Sequence, residues 1–145
     1  MNNAPSGTLD WVPREDGKFL KSAPESLVSS RSVAKIPTVS GNVDDEGTLF
    51  ILGASAITTD ALVAYFLSSL FPNNQTAITT LLELYPSDPA AGAPFDTGSA
   101  NAVTPEWKRL AALVGDLTFT APRRFFVKTI ANSQDTWVFR ASPFL

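Results

Sequence analysis

Two short β-rich stretches stand near opposite ends of this chain, with helices and loops filling the space between. Pro37 to Ser40 reads as one strand, in a context of Ile36, Val39 and Val43, with Pro37 tolerated near its start. Trp137-Val138-Phe139-Arg140 reads as the other. Strands joined through helices run parallel, and a parallel sheet needs more strands than two and cover on both faces. The pattern is that of an incomplete α/β domain, with about two parallel strands and several amphipathic helices.

The helices announce themselves by caps and stops. Pro24-Glu25-Ser26-Leu27-Val28 suggests a short piece beginning at or just after Ser22. Thr59-Asp60 caps a segment with apolar residues at Leu62, Tyr65, Phe66 and Leu70, ended by Pro72. Asn74 caps a second, in which Ile78, Leu81, Leu82 and Tyr85 share one face before Pro86 stops it. Thr104-Pro105-Glu106 has the form of a third start: cap, proline, then an acid on the positive end of the dipole. Trp107, Leu110, Ala111, Val114 and Leu117 follow on one face. Gly115 and Pro122 predict a break or kink before helix resumes over Arg123 to Ala131. Met1 to Lys18 reads as irregular chain with a hairpin-like turn at Arg14-Glu15-Asp16-Gly17. Ser87 to Ala102 is a Pro/Gly/Ala loop, long for a compact domain.

Composition excludes several classes. At 145 residues the chain could bury roughly two-thirds of its unfolded surface as one domain. The net charge is −3, with Lys and Arg scattered, which argues against nucleic acid and against an anionic membrane surface as partners. There is no cysteine and no histidine, so neither a disulfide framework nor a zinc site of the usual ligands is available. Met1 to Asp10 is polar and lacks a charged-then-apolar signal design, and Leu49 to Ile57 is about half a membrane span. As written, a soluble product without an address is expected.

The acidic stretch Asp44-Asp45-Glu46-Gly47 has a bland reading as a turn after a strand, where Asp accepts local backbone hydrogen bonds. It lacks the alternating ligand series of a calcium loop. Yet Gly41-Asn42-Val43-Asp44-Asp45-Glu46-Gly47-Thr48-Leu49-Phe50 resembles the acid loop of the type-B carboxylesterase/lipase family, α/β-hydrolases that include fungal lipases and cholinesterases. The similarity extends along the chain. Asp16-Gly17-Lys18-Phe19 with Lys35-Ile36-Pro37-Thr38-Val39 resembles that family's approach to the loop. Tyr85-Pro86 followed by Pro94-Phe95-Asp96-Thr97-Gly98 is similar to a fungal lipase segment, as is Leu110 to Arg124 with Gly115-Asp116-Leu117 and Arg123-Arg124.

The resemblance implies a partial α/β-hydrolase fold over residues 1–145 and few site residues. Glu46 matches the triad acid, which orients a histidine and stabilises the imidazolium that forms. Leu49 and Phe50 fall where such lipases line the acyl pocket, although apolar residues after a loop belong to the core more often than to a substrate site. The nucleophile elbow, the oxyanion-hole glycines and the histidine loop have no matching positions here. Trp137 to Arg140 resembles the strand before the histidine, and the chain stops at Leu145 just short of that residue's expected place. The acid is present without its client.

Two serine motifs imitate catalytic ones. Gly53-Ala54-Ser55-Ala56-Ile57 approximates a nucleophile elbow, but the elbow needs a small final residue and Ile57 is branched. Ser32-Val33-Ala34-Lys35 fits S-x-x-K, without the partner motifs that would support it. Asn74-Gln75-Thr76 is an N-glycosylation sequon, meaningful only in a secreted parent. Arg123 and Arg124 read as helix-surface charges beside core residues Phe125, Phe126 and Ile130.

The expectation is a fragment of a carboxylic ester hydrolase that supplies the triad acid and is inactive alone. It would need no cofactor and no metal. Its partners would be an ester or lipid substrate in the complete parent, and the missing part of the hydrolase domain. The parent family implies an extracellular location. The alternative is a non-catalytic binding or adhesion module derived from the same scaffold.

Overall fold

The protein is described from a computed structural model covering residues 13–142. The irregular stretch and missing signal expected over Met1 to Asp10 lie outside the described residues. The described chain divides into two compact units, residues 13–43 with 120–142, and residues 44–119.

The first unit holds both strands. β1 (Thr38–Val43) pairs in parallel with β2 (Thr136–Ala141), from Thr38 opposite Thr136 to Val43 opposite Ala141. The architecture is α/β, and the expected parallel pairing is found. Gln134 fixes the start of the ladder: its Nε2 donates to the Ile36 carbonyl at 2.8 Å and to Thr38 Oγ1 at 3.0 Å. Gly41 is needed at its register position because the Phe139 ring lies over it, and a Cβ would fall 2.5 Å from three ring atoms. α1 (Pro24–Ser29) packs on α6 (Ala121–Ile130), and α6 packs on β1. Ile130 is buried, whereas Phe125, expected in the core, is exposed. Arg123 is also more than a surface charge, since its Nε donates to Asn42 Oδ1 on β1. Val39, Val43, Trp137, Val138 and Phe139 remain exposed along the two strands.

At the start of this unit, Asp16 Oδ1 accepts the backbone N–H groups of Lys18, Phe19 and Leu20 at 2.9, 2.7 and 2.9 Å. Gly17 takes a positive φ of 70°, so the chain turns over residues 16–20, later than the hairpin-like turn expected at residues 14–17, around an aspartate that gathers backbone donors. Those donors hold the Asp16 carboxyl below its ordinary range.

The second unit is helical. α3 (Asp60–Leu70) and α4 (Gln75–Leu84) pack on each other across a tight connection. Both expected caps are found: Thr59 Oγ1 accepts from Leu62 N at 3.4 Å, and Asn74 Oδ1 accepts from Ala77 N at 3.1 Å. The buried face of α3 differs from the expected one, being centred on Val63 and Leu67, while Leu62, Tyr65 and Leu70 are exposed. That helix is apolar nearly all round, so spacing alone leaves its rotation undecided. α4 buries Ile78 and packs Leu81, Leu82 and Tyr85 against the same core, as the spacing predicts.

α5 (Trp107–Gly115) is the central element, and every one of its nine residues is buried. It starts later than Thr104 suggests. Thr104 caps nothing; its hydroxyl donates to the Ile57 carbonyl at 3.3 Å, and Glu106 precedes the first helical residue without capping it. The long loop before α5 is not slack. Its 3₁₀ turn at Pro89–Ala91 is capped by Asp88, Ala93 N donates to the Lys108 carbonyl at 3.0 Å, and Gly92 lies against the Lys108 backbone. Lys108 reaches back with Nζ to Thr97 Oγ1 at 2.6 Å and to the Gly98 carbonyl at 2.7 Å. After α5 the expected break is a π turn over Asp116–Thr120, with Pro122 in the first turn of α6. A π turn drops a helical hydrogen bond, so a residue without an N–H costs least there.

Candidate functional site

The acid loop begins where β1 ends along the chain. Asp44, Asp45 and Glu46 form a turn, and α2 (Gly47–Phe50) is a single helical turn that follows at once. Asp45 organises the turn from both sides. Its carbonyl accepts Thr48 N at 3.1 Å and Thr48 Oγ1 at 2.9 Å, while its Oδ1 accepts Phe95 N at 3.0 Å. The expected turn is found, but the Asp45 carboxylate serves a backbone N–H fifty residues away instead of a local one. The turn leaves Glu46, at the N-terminal end of α2 with α-helical φ and ψ, half-buried on a braced backbone.

The tightest brace is Gly47. It is buried against α5, where an added Cβ would overlap the Ala111 carbonyl oxygen and come within 2.5 Å of Gly115 N. Gly115 meets Gly47 in return, since a Cβ there would fall 3.0 Å from Gly47 N. Two glycines let the backbones of α2 and α5 touch, and α5 is the most buried element of the unit. The residue before Gly47 inherits that rigidity. Gly47→Ala is expected to push α2 off α5 and destabilise the unit by about 1–3 kcal/mol, the usual cost of overpacking. Amide exchange in α2 should quicken; unchanged exchange would mean that the glycine pair is not a close contact in solution.

Leu49 and Phe50 part company. Leu49 is 68% exposed, whereas Phe50 packs on the core and tilts against Phe119, ring centroids 5.1 Å apart at 48°. A cavity of about 380 Å³ lies elsewhere in the unit, among Leu84, Tyr85, Gly92, Phe95, Arg109 and Asp116, and none of Glu46, Leu49 or Phe50 lines it. Its polar groups are engaged with one another and with the backbone: Tyr85 donates its hydroxyl to Asp116 Oδ2 at 2.7 Å, and Arg109 is held by four acceptors.

The Tyr85 hydroxyl is pushed well above the ordinary tyrosine range, first by burial and then by its hydrogen bond to Asp116 and that residue's charge. A raised value in the folded state stabilises the protein fully below the unfolded value of about 10, and the benefit is lost as pH climbs above it. Tyr85→Phe should accordingly flatten the alkaline fall in stability, read as the thermal midpoint followed upward from about pH 10, the unfolded tyrosine value. A variant that loses stability with alkali as steeply as the parent would show that another group governs the fall.

The serine motifs gain nothing from the structure. Ser55 lies in consecutive turns with no strand before it, so the strand–turn–helix context of an elbow is missing. Ser32 and Lys35 are both exposed. Among the described residues no group of three or more His, Cys, Asp and Glu could hold a metal ion, and no helix is long and apolar enough to cross a membrane. Sequence reasoning missed the roles of Gly47, Gly115 and Asp45. The only available signal was that two glycines bracketed the acid loop and the end of a helix.

No protein-family profile matches the chain. It is 45% identical over 124 residues to Lipase 4 of Diutina rugosa, a match covering 85% of this chain and 23% of that protein. It is 43% identical over 139 residues to Secreted lipase 1 of Botryotinia fuckeliana, covering 92% of this chain and 24% of the relative. A secreted triacylglycerol lipase of Gibberella zeae is 37% identical over 139 residues with the same coverage. The chain thus spans about a quarter of the length of these curated relatives, 23–24% in each case. Identity of 37–45% to fungal lipases over most of the chain supports a fragment of the lipase/carboxylesterase family.

Proposed function

We propose that this chain is the acid-bearing part of a secreted α/β-hydrolase that cleaves carboxylic esters, with lipids as the substrate class. The observation that carries the reading is likeness to proteins named lipases along 85–92% of the chain. In the complete protein Glu46 would accept a hydrogen bond from one imidazole nitrogen of a histidine outside this chain. That bond fixes the tautomer whose other nitrogen takes the serine proton, and the carboxylate charge stabilises the imidazolium. The reaction runs through an acyl-serine and calls for no cofactor. The braced Gly47 supports this assignment, because catalysis is sensitive to small misplacement: about 1 Å can cost 10²-fold in rate. Leu49 and Phe50 would flank the acyl chain, Leu49 by its exposed side chain.

The missing part of the hydrolase is the proposed partner of the strands. A two-stranded parallel sheet with Val39, Trp137, Val138 and Phe139 exposed is what remains when neighbouring strands and covering helices are taken away. The relatives are long enough to supply them.

The chain alone should hydrolyse no short-chain p-nitrophenyl ester above background, since it holds the acid but no histidine. Triad members act as a unit, so one without the others supplies almost none of the rate. Saturable hydrolysis abolished by Ser55→Ala or Ser32→Ala would overturn the proposal and promote one of the two serine motifs.

A further inference from the structure

We propose that Asn74 is an N-glycan acceptor whose side chain serves the helix and the sugar at once. Asn74-Gln75-Thr76 meets the N-x-T requirement, with glutamine in the middle and alanine after the threonine. All three residues are exposed: Asn74 caps α4 after the turn from α3, and Gln75 and Thr76 are the first two residues of the helix. Asn73, just before them, takes a positive φ of 61°, so the chain turns sharply here.

The chemistry separates the two ends of one amide. Capping uses Oδ1, which accepts Ala77 N at 3.1 Å. Glycosylation uses Nδ2: it forms a bond to C1 of an oligosaccharide carried on a lipid diphosphate. The C1–O bond to the diphosphate breaks, the lipid diphosphate leaves, and Nδ2 gives up one proton. The product is still an amide with its carbonyl oxygen intact. The cap on α4 therefore survives modification, and the site can carry a glycan without unravelling the helix below it. A sequon whose asparagine capped through Nδ2, or lay in the core, would force a choice between the two.

This inference rests on the proposed secreted parent, but its test does not depend on ester hydrolysis. The 145-residue chain, placed behind a cleavable secretory leader, would be translated in the presence of endoplasmic-reticulum microsomes. One slower species is expected, collapsed to the unmodified mobility by peptide-N-glycosidase. Thr76→Ala and Asn74→Asp should abolish it, while Thr76→Ser should retain it. Asn74→Asp is the telling variant, because aspartate caps a helix about as well as asparagine yet cannot accept a glycan. No glycosidase-sensitive species in the unaltered chain, or one that persists in Thr76→Ala, would overturn the assignment. Absence of esterase activity in the complete protein would instead defeat the hydrolase reading and leave this result standing.

Discussion

Glu46→Gln in the complete hydrolase is expected to lower turnover by about 10⁴-fold, the loss that an equivalent acid-to-amide change produces in a serine protease. The replacement is nearly isosteric, so the turn should keep its shape. Its neighbours brace it: Asp45 holds Thr48 and Phe95, and Gly47 holds α5. What disappears is negative charge behind the histidine, and the amide can select the wrong imidazole tautomer. KM should change little, because the acid acts through the histidine and does not touch the ester. Asp45→Asn is the matched control. An asparagine keeps the Oδ1 acceptor for Phe95 N, so turnover should stay within a few-fold. The assignment is sunk if the control loses turnover and Glu46→Gln keeps it.

Gly47→Ala should also reach turnover, by a different route. Its added methyl leaves the Glu46 charge intact but moves the backbone that carries it. Turnover should fall together with the protection of α2, whereas Glu46→Gln should leave that protection untouched. The pair separates position from charge.

Local signals were legible in the sequence; long-range ones were not. Thr59 and Asn74 announced their helices because a cap is a bond between residues three apart, written within one short window. The two strands were legible in place and direction for a similar reason, since helices between them leave parallel pairing as the natural outcome. The start of α5 was misread because Thr104-Pro105-Glu106 has the form of a cap. Both polar side chains are engaged elsewhere: Thr104 bonds Ile57 far along the chain, and Glu106 bonds Arg109 three residues on. The rotation of α3 was misjudged because Leu62, Val63, Phe66 and Leu67 offer two apolar faces, and only packing selects between them.

The site divides in the same way. Glu46 was placed by resemblance, and nothing in its own chemistry distinguishes it from Asp44 or Asp45. Its supports come from residues far along the chain, Phe95, Ala111 and Gly115, which a window around the loop never includes. Lys108 and Arg109 were passed over because charged residues in a helix read as surface. Burial of Lys108 is possible only because a threonine hydroxyl and a glycine carbonyl from the preceding loop meet its ammonium.

Arg109 carries the largest expected effect on stability. Its side chain is only 3% exposed, and its planar fork ties α3 and the end of α4 to its own helix. Nε donates to the Tyr85 carbonyl and Nη2 to the Leu82 carbonyl at 2.9 Å, so the guanidinium closes the C-terminal end of α4. Nη1 meets Asp60 at 2.7 Å, in the first turn of α3, and Glu106 at 3.1 Å, the residue just before α5. Asp60 is exposed and can return to water, but Glu106 is 7% exposed in its side chain and cannot. Arg109→Ala would leave a buried carboxylate and two helix-end carbonyls without their donor, a loss of about 3–5 kcal/mol. Against a typical total of about 5–15 kcal/mol, that is a large share of a domain's stability. Arg109→Lys should recover only part of it, since one ammonium cannot span the same fork. Removing both buried charges, as Glu106→Leu with Arg109→Met, should cost clearly less than the sum of the two single changes. Denaturation of the complete hydrolase, together with amide exchange at the end of α4, measures each term. Additive losses in the double variant would show that the two charges do not depend on each other, and unchanged exchange at the end of α4 in Arg109→Ala would show that something other than Arg109 holds it.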